Sequence, residues 1–560
     1  MKFIFGTILV IIMCFFSNSI YGGTDKMITD VYPDKGIYKP GGKATITVEL
    51  ISKESFNGFI TFSVKDLARE LVRENYKLIL SPGSSKFSFE WITPGEEKGF
   101  GVDVAIFDNN GKMIDTKSTA IDTASFWGKA PRYGFMSDFS PGLTDIEERV
   151  KELVKFHIDG LQFYDWMYRH DTYIPVQNIF EDPLGRILSL DTIRKKINFS
   201  WSYGITPMAY TAIYAASKEF MEAHKEWGLF KDMDLKEIYD FGNGFLYIMN
   251  PSLGTPWTLH MIEEYKKIIS LLGFGGIHID QYGDPKFGYG KDADGKIIPI
   301  DLSQVIPEFI NATKNSITTI NPTSTVTFNC VTSWPIDEVA RSKEDFEYIE
   351  VWPPYKNFDD FYTLINNART LNGGRQIVIA AYVDTILPTN ILLTDAIVFA
   401  SGGYRIELGE ERGYLVDPYF PKYKLVSQEL YRKLRKYYDF ITRYRIFLYD
   451  SQLVPAEGIS TDKDVWAIRR SLSNYEVIHF INYNRALMDR WNEPLFKGIK
   501  EKKYLRVNLS RVQEPKAIYL ISPDIEDPRP LALNFTYSNG LVSLNIPSLY
   551  IWDTLVIEWK

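Results

Sequence analysis

Short stretches in which apolar and polar residues alternate dominate the first part of the chain. Residues 44–50 (ATITVEL), 59–64 (FITFSV), 87–91 (FSFEW) and 102–106 (VDVAI) follow this pattern. Turn signals rich in Gly, Pro and Asn separate them at residues 39–42, 81–83 and 108–111. Strict alternation predicts strands that bury one face. We therefore predict an immunoglobulin-like β-sandwich over residues 24–128, with no catalytic constellation in it.

The period changes after Trp127, where buried runs begin to alternate with segments of helical period. These strand candidates cover residues 133–138, 160–166, 205–210, 275–280, 326–330, 348–352, 377–382 and 397–400. Eight strands interleaved with helices predict a (β/α)8 barrel, the TIM barrel, over residues 129–445. Its longest insertions would be residues 169–190 and 219–250. A doubly wound sheet is the alternative, but no phosphate-binding glycine loop follows the first strand.

Alternation returns beyond residue 446 and continues to the end of the chain. Strand candidates lie at residues 465–468, 477–481, 505–509, 542–546 and 555–559. A second β-sandwich over residues 446–560 is the simplest interpretation. The predicted fold class is therefore multidomain, α/β plus all-β, with a central TIM barrel between an N-terminal immunoglobulin-like sandwich and a C-terminal β-sandwich.

Residues 1–23 have the pattern of a secretory signal. Lys2 precedes an apolar run from Phe3 to Phe16, which is too short to span a bilayer, and small or polar residues follow it. We predict cleavage of this segment, no membrane attachment of the mature chain, and a secreted or periplasmic location. Cys330 would then be the remaining cysteine of two, which excludes an intramolecular disulfide.

Composition narrows the class of partner. A net charge of -8 argues against nucleic acid, which requires a basic face. Aromatic residues make up 15% of the chain. Their excess suits the apolar faces of sugar rings, because Tyr and Trp combine a flat surface with a polar tip. We expect a polysaccharide substrate and a monomeric protein.

Candidate chemistry lies where the predicted barrel strands end, since active sites of such barrels form at the C-terminal ends of the strands. The residues at these ends are Asp138, Asp165, Trp166, Asp280, Asn329, Glu350, Trp352 and Tyr382. Acids accompanied by aromatic residues suit acid/base chemistry on an uncharged ring, as in glycoside hydrolysis. Two alternatives stay open at this point. Asp280 in the stretch GGIHIDQYG can simply cap the next segment, and His278 can be either a core histidine or a hydrogen-bond donor beside Asp280.

Other chemistries lack their motifs in this chain. The six histidines are scattered without an H-E-x-x-H pair, and residues 292–295 (DADG) are too short for a calcium loop. There is no G-x-S-x-G elbow and no P-loop. The glycine run at residues 273–276 follows a helix and not a strand, which argues against dinucleotide binding. We therefore predict no metal ion and no cofactor.

Three segments together are typical of one enzyme family. They are GIHIDQ at residues 276–281, QFYDWMYRH at residues 162–170 and YIEVW at residues 348–352. The first resembles the nucleophile segment and the last the acid/base segment of glycoside hydrolase family 66, the dextranases and cycloisomaltooligosaccharide glucanotransferases. The segments occur in the family's order, Asp280 and Glu350 lie 70 residues apart, and the resemblance extends over the flanking β-regions.

The resemblance implies a retaining double displacement. Asp280 would attack the anomeric carbon, and Glu350 would protonate the glycosidic oxygen and later deprotonate water. Glu347 is the less favoured acid, because alternation places it on the opposite face of the strand. Further substrate-binding candidates are Asp138, Tyr164, Asp165, His278, Asn329 and Tyr382 for sugar hydroxyls, and Trp166 and Trp352 for ring faces.

The resemblance also bears on the choice between hydrolase and transferase. The family's cyclising transferases typically carry a carbohydrate-binding module inserted late in the catalytic region. Here the predicted eighth strand runs on through residues 401–407 and reaches the last predicted barrel helix, residues 421–444, without room for such a module. This favours a dextranase, an endo-acting hydrolase of α-1,6-glucan. The transferase is the first alternative, and a non-catalytic glucan-binding protein is the second.

Overall fold

The computed structural model of the protein describes residues 26–560, so the predicted signal at residues 1–23 lies outside the described part. Two antiparallel sheets come first. One contains Ile28–Pro33, Lys43–Ser52 and Gly83–Ile92, and the other contains Arg69–Leu80, Phe56–Asp66, Gly99–Asp108 and Met113–Asp122. Their apolar faces share one core, which includes Ile46 and Phe89 of the first sheet and Phe62 and Val104 of the second. The immunoglobulin-like topology of this region stays a prediction.

Eight strands form the central parallel sheet, and neighbours in sequence are neighbours in space. They are β1 (Tyr133–Met136), β2 (Gly160–Phe163), β3 (Thr206–Ala212), β4 (Gly276–Asp280), β5 (Thr325–Val331), β6 (Glu347–Glu350), β7 (Ile377–Ala380) and β8 (Tyr404–Ile406). A bridge from Phe135 to Gly409, just beyond β8, brings the two edges together. This nearly closed sheet is a TIM-like barrel, and the doubly wound alternative is wrong.

A helix follows each strand. The helices are α1 (Ile146–Val154), α2 (Leu190–Ser202), α3 (Pro256–Lys267), α4 (Leu302–Ile317), α5 (Ile336–Val339), α6 (Phe358–Leu371), α7 (Pro388–Ala400) and α8 (Gln428–Arg443). The start of α3 shows how the local sequence determines where a helix begins. The Thr255 side chain accepts a hydrogen bond from Thr258 N, and Pro256 occupies the first turn, where its missing N–H costs nothing. Gly273, at φ 80°, ends the helical segment ahead of β4.

The predicted start of the eighth strand, at residues 397–400, is wrong, whereas its predicted continuation through residues 401–407 contains the observed strand. Residues 397–400 are the last turn of α7, and β8 begins at Tyr404. This helix is buried on almost every side, so its sequence lacks the polar stripe that marks a surface helix. An apolar run of that kind reads equally well as a buried strand.

β-Structure occurs in both predicted insertions and in one further loop. A hairpin of Ile179–Glu181 and Ile187–Ser189 follows β2, and a hairpin of Phe287–Lys291 and Ile297–Asp301 follows β4. The loop after β3 carries a small sheet of Ala215–Ala216, Leu246–Ile248 and Asp240–Phe241. All three extend the side of the barrel at which the strands end.

Two further antiparallel sheets follow α8. The six-stranded sheet contains Gln452–Val454, Trp466–Leu472, Tyr475–Ile481, Trp552–Trp559, Pro515–Ile521 and Leu531–Ala532, and the four-stranded sheet contains Ile459–Ser460, Lys502–Ser510, Leu541–Leu549 and Phe535–Ser538. Residues of both sheets enclose one apolar core, for example Ile478 and Val507. The assignment of residues 446–560 as a β-sandwich domain stays a prediction.

Candidate active site

Asp280 is the last residue of β4 and is held by three hydrogen bonds. Its carboxylate accepts from the Tyr210 hydroxyl at 2.6 Å, from Asn329 Nδ2 at 2.7 Å and from the backbone N–H of Gln281 at 2.8 Å. The first residue of the strand, Gly276, must be a glycine because a Cβ there would lie 2.3 Å from the carbonyl oxygen of Thr325. Close packing of β4 on β5 thus fixes the level at which Asp280 emerges from the barrel.

Glu350 ends β6 and lies beside Asp280. Its Oε1 accepts a hydrogen bond from the Tyr382 hydroxyl at 2.6 Å, and its Oε2 accepts one from Asn329 Nδ2 at 2.9 Å. The same Asn329 nitrogen reaches Asp280 Oδ1 at 2.7 Å, because β5 lies between β4 and β6.

The shared donor limits how far apart one oxygen of each carboxylate can be. The two acceptor oxygens cannot be farther apart than the sum of the two Asn329 distances. That limit is close to the ~5–5.5 Å typical of retaining glycosidases and below the ~6.5–9.5 Å that leaves room for a water in inverting ones. The arrangement suits direct attack by one carboxylate on a sugar carbon.

The environment of the pair favours holding one proton near neutral pH. Burial and the negative charge of Glu350 raise the pKa of Asp280 to about 7, while the bonds from Tyr210, Asn329 and Gln281 act in the opposite direction. Since the two carboxyl groups interact, this proton belongs to the pair and not to one residue alone. The three hydrogen bonds that Asp280 accepts stabilise its ionised form.

The raised pKa predicts a pH-dependent gain in stability for Asp280→Asn. A carboxyl group with a pKa near 3.8 in the unfolded chain and about 7 in the folded chain stabilises the fold below the lower value and loses that contribution as pH rises through the upper one. We expect the Tm of Asp280→Asn, relative to the wild type, to be roughly 2–4 °C higher at pH 8.5 than at pH 4.5. Differential scanning calorimetry of both proteins at the two pH values measures it. An equal Tm difference at both would show that Asp280 is not a destabilised carboxylate.

Glu347, the competing acid on β6, is fully buried and faces away from the pair. Its Oε1 accepts a hydrogen bond from Arg375 Nη2 at 3.1 Å. A buried acid held by a cation has no access to substrate. This placement supports the preference for Glu350.

Tyr164 and Asp165 follow β2 near the pair. The Tyr164 ring lies between the rings of Tyr210, 4.7 Å away, and Phe420, 4.2 Å away. Asp165 is buried at φ 49°, a left-handed conformation that reverses the chain, and its carbonyl accepts a hydrogen bond from Arg186 at 2.7 Å. Burial raises the pKa of Asp165 to about 7. Their predicted contacts with sugar hydroxyls stay predictions.

The structure contradicts a direct sugar contact for Trp166 and His278. Trp166 is fully buried and its Nε1 donates to the Tyr210 carbonyl at 3.2 Å. His278 is 1% exposed, and its Nδ1 lies 3.2 Å from the Tyr133 hydroxyl inside the barrel. Burial lowers the pKa of His278 to about 3, so the ring is neutral. Both residues brace the barrel beneath the site.

Three other candidates differ in position. Tyr382 contacts Glu350 as described, and the exposed Trp352 lies beside it with ring centroids 5.9 Å apart. Asp138 lies apart from the network around the pair. Its carboxylate contacts Arg149 at 3.1 Å and accepts from the Ser140 hydroxyl at 2.7 Å. Its predicted role is therefore the least supported of the three.

Tyr210 is the residue of the site that sequence reasoning missed. It contacts Asp280 directly and lies in the strand segment predicted at residues 205–210. Its position at the end of that segment was the available signal, because such residues face the mouth of a barrel.

Within residues 26–560, no three or more His, Cys, Asp or Glu side chains cluster in a way that could hold a metal ion. In the same part of the chain, no helix combines the length and the apolar character needed to cross a bilayer.

The sequence model of glycosyl hydrolase family 66 matches residues 33–556. The chain belongs to glycosyl hydrolase family 66. The match covers the barrel and both flanking β-regions, and it agrees with the resemblance carried by the three sequence segments. The family is one of glycosidases, so this member is a glycosidase by descent.

Two curated relatives show the range of activities among similar family 66 proteins. A cycloisomaltooligosaccharide glucanotransferase of Niallia circulans is 23% identical over 710 aligned positions, covering 95% of this chain and 72% of that protein. A dextranase of Streptococcus salivarius is 22% identical over 603 positions, covering 88% of this chain and 72% of that protein.

A solved structure shares the fold of this family 66 chain. The cycloisomaltooligosaccharide glucanotransferase of Paenibacillus sp., complexed with cycloisomaltoheptaose, superposes with a TM-score of 0.87 at 22% identity. The superposition covers 95% of this chain and 99% of the other. At this identity the likeness concerns the fold alone.

Proposed function

We propose that this family 66 protein is an endo-acting, retaining hydrolase of the α-1,6-glucosidic linkages of dextran, with isomaltooligosaccharides as products. The observation that carries the proposal is the shared donor Asn329, which holds Asp280 and Glu350 close enough for a double displacement. A non-catalytic glucan-binding protein would have no need of two acids placed in this way.

In the first step Asp280 Oδ attacks the anomeric carbon and the bond to the leaving oxygen breaks. Glu350 gives its proton to that oxygen, so the leaving sugar departs as an alcohol. Tyr210 and Asn329 keep the attacking carboxylate oriented through the bonds described above.

In the second step Glu350, now ionised, takes a proton from water, and the water oxygen displaces Asp280 from the anomeric carbon. Two inversions give overall retention. The Tyr382 hydroxyl, 2.6 Å from Glu350 Oε1, stabilises the ionised form of Glu350 between the two steps.

The choice of water as acceptor rests on what this chain lacks relative to the transferase. An alignment of 710 positions is longer than the 560-residue chain, so the transferase contains segments without a counterpart here. The alignment with the dextranase spans 603 positions, so fewer residues of that protein lack a counterpart in this chain. The transferase nevertheless matches more of the chain, and cycloisomaltooligosaccharide formation is therefore the second candidate function.

Product analysis tests the proposal. The protein is incubated with dextran, an α-1,4-glucan and a β-glucan, and products are sized by mass spectrometry, in which a cyclic oligosaccharide is lighter than the linear one by one water. We expect linear isomaltooligosaccharides from dextran alone. Mainly cyclic products would establish the transferase, and equal turnover of the α-1,4-glucan would contradict the linkage assignment.

The remaining parts of the proposal concern the whole protein. We propose that residues 24–128 and 446–560 are β-sandwich domains that support a catalytic domain of residues 129–445. We further propose a monomer that acts on polysaccharide outside the cytoplasm. The location rests on the signal-like pattern of residues 1–23.

A further inference from the structure

The loop between β3 and α3 builds a small sheet that the barrel itself does not require. Its strands pair in the order Ala215–Ala216, Leu246–Ile248, Asp240–Phe241, so Phe241 lies on the outer strand. A turn of residues 242–244 precedes the middle strand. The Asp240 carboxylate accepts a hydrogen bond from Gly244 N at 2.6 Å and closes this turn. Phe241 is thus held in a defined position.

Phe241 carries its aromatic ring at the surface and stacks on a second ring. The Phe241 and Tyr282 centroids lie 4.5 Å apart with an interplanar angle of 27°. Phe241 nevertheless remains 45% exposed. One side of its ring is therefore covered by Tyr282, and the rest of the ring meets solvent.

This ring pair is continuous with the candidate active site. Tyr282 comes two residues after Asp280 and packs against a small cluster of Ala212, Ala215 and Leu246. Ala212 is paired in register with Asp280 across β3 and β4. The same few residues therefore support both the stacked rings and the end of the strand that presents Asp280.

A single exposed apolar side chain needs no explanation, but two stacked rings beside a pair of acids do. Aromatic faces stack on the apolar C–H face of a sugar ring, with little loss of side-chain entropy because the rings are already fixed. The Phe241 side chain has no polar atom. A sugar ring that stacks on it therefore displaces water from no hydrogen-bonding group of this side chain.

The order of the barrel strands places the stacked rings on the side of Asp280 that is opposite to Glu350. Phe241 belongs to the loop after β3, whereas Glu350 ends β6, and β4 with Asp280 lies between them. Glu350 is the residue next to the leaving oxygen in the proposed reaction, so the departing part of the glucan lies on its side. The part that stays bonded to Asp280 extends the other way, over β3.

We propose that Phe241, stacked on Tyr282, is a binding platform for a glucosyl unit on the non-reducing side of the cleaved bond. The inference rests on the proposed function and deepens it, because it names residues that set how many glucose units the donor side binds. Phe241 acts here on substrate binding and takes no part in bond breaking.

Aryl α-glycosides of isomaltooligosaccharides with one to five glucose units test the proposal. Their leaving group occupies only the side of Glu350, so any gain in kcat/KM with length reports donor-side binding. We expect the wild type to gain with length, and Phe241→Ala to lose on the order of tenfold on the longer substrates while the one-unit substrate is unaffected. An equal loss at every length, or no loss, would overturn the proposal. A loss confined to dextran would place the platform on the leaving-group side and overturn the assignment made here.

Matched variants separate a stacking contact from a folding defect. Phe241→Trp keeps a flat ring and is expected to retain the gain with length, whereas Phe241→Leu keeps apolar bulk without a flat face and is expected to lose it. Phe59→Ala removes a phenylalanine of similar exposure, 42%, on an N-terminal strand and is expected to behave like the wild type. A defect in Phe59→Ala equal to that in Phe241→Ala would count against a local contact.

Binding measurements distinguish failure of this inference from failure of the proposed function. Isothermal titration of isomaltopentaose into Asp280→Asn, with and without Phe241→Ala, measures affinity without turnover. About tenfold weaker binding in the double variant supports the platform even if the wild type hydrolyses nothing, in which case only the proposed function falls. Equal affinity in both proteins overturns the platform even if dextran is cleaved.

Discussion

Asp280→Asn is expected to lower kcat for dextran on the order of 10^4-fold or more, while the affinity for isomaltooligosaccharides stays within a few-fold of the wild type. The amide has the shape of the carboxylate but cannot form the bond to the anomeric carbon. The residues that surround it, Tyr210 and Asn329, are unchanged, so the shape of the site is kept. Initial rates on dextran and titration calorimetry on the same preparation measure the two quantities.

The control for this variant is Asp294→Asn, which removes an exposed carboxylate from the hairpin that follows β4. It is expected to leave kcat and KM unchanged, because its side chain points to solvent in a turn. A rate for Asp280→Asn within tenfold of the wild type would remove Asp280 from the role of nucleophile. Loss of binding together with rate would instead assign Asp280 to substrate binding.

Seven of the eight barrel strands could be predicted because buried parallel strands have a recognisable pattern. Each is a short apolar run bounded by glycine, proline or polar residues, as in GGIHIDQYG around Asp280. The start of the eighth was placed too early because α7 is nearly all buried and has no polar face to reveal its period. The pattern of apolar and polar residues indicates directly which segments are buried. It distinguishes a helix from a strand only where one face of the element is exposed to solvent.

The candidate site was predictable as a set of strand ends, and less so as a set of side-chain directions. Asp280 and Glu350 end their strands as expected, but Asp165 adopts a left-handed conformation that turns the chain. Trp166 is therefore directed into the core and not toward substrate. A positive φ at an aspartate leaves no mark in the local sequence, so this reversal could not be predicted.

Asp280 and Glu350 are held close together by a third residue, whose role no sequence pattern shows. The sequence marks Asn329 as a strand end and a candidate for binding sugar hydroxyls, and in the structure it donates to both carboxylates. This arises because β5 lies between β4 and β6 in the nearly closed sheet, a relation that spacing along the chain does not contain. The separation of 70 residues between the acids carries meaning only once the barrel is formed.

Glu350→Gln is expected to lower kcat for dextran about 10²–10⁴-fold, the usual contribution of a general acid. The glutamine cannot protonate the leaving oxygen, and the sugar alkoxide that would then depart is a poor leaving group. With a 2,4-dinitrophenyl glycoside, whose phenolate leaves without a proton, the first step is expected to remain fast. Stopped-flow absorbance should therefore show a burst of phenolate followed by slow turnover, because no base remains to activate water in the second step.

Azide distinguishes the roles of the two acids, since it attacks without needing a base. In Glu350→Gln it is expected to restore turnover of the activated substrate and to give the α-glycosyl azide, because it displaces Asp280 from a β-linked intermediate. Glu347→Gln is the matched comparison on the same strand. It is expected to lower Tm through loss of the buried contact with Arg375 and to keep the wild-type kcat without azide. Azide rescue in Glu347→Gln would make Glu347 the acid/base residue. A β-glycosyl azide from Glu350→Gln would mean that azide replaces Glu350 as the nucleophile. Either result would overturn the assignment of Glu350 as the acid, because removal of the acid leaves attack by Asp280 possible.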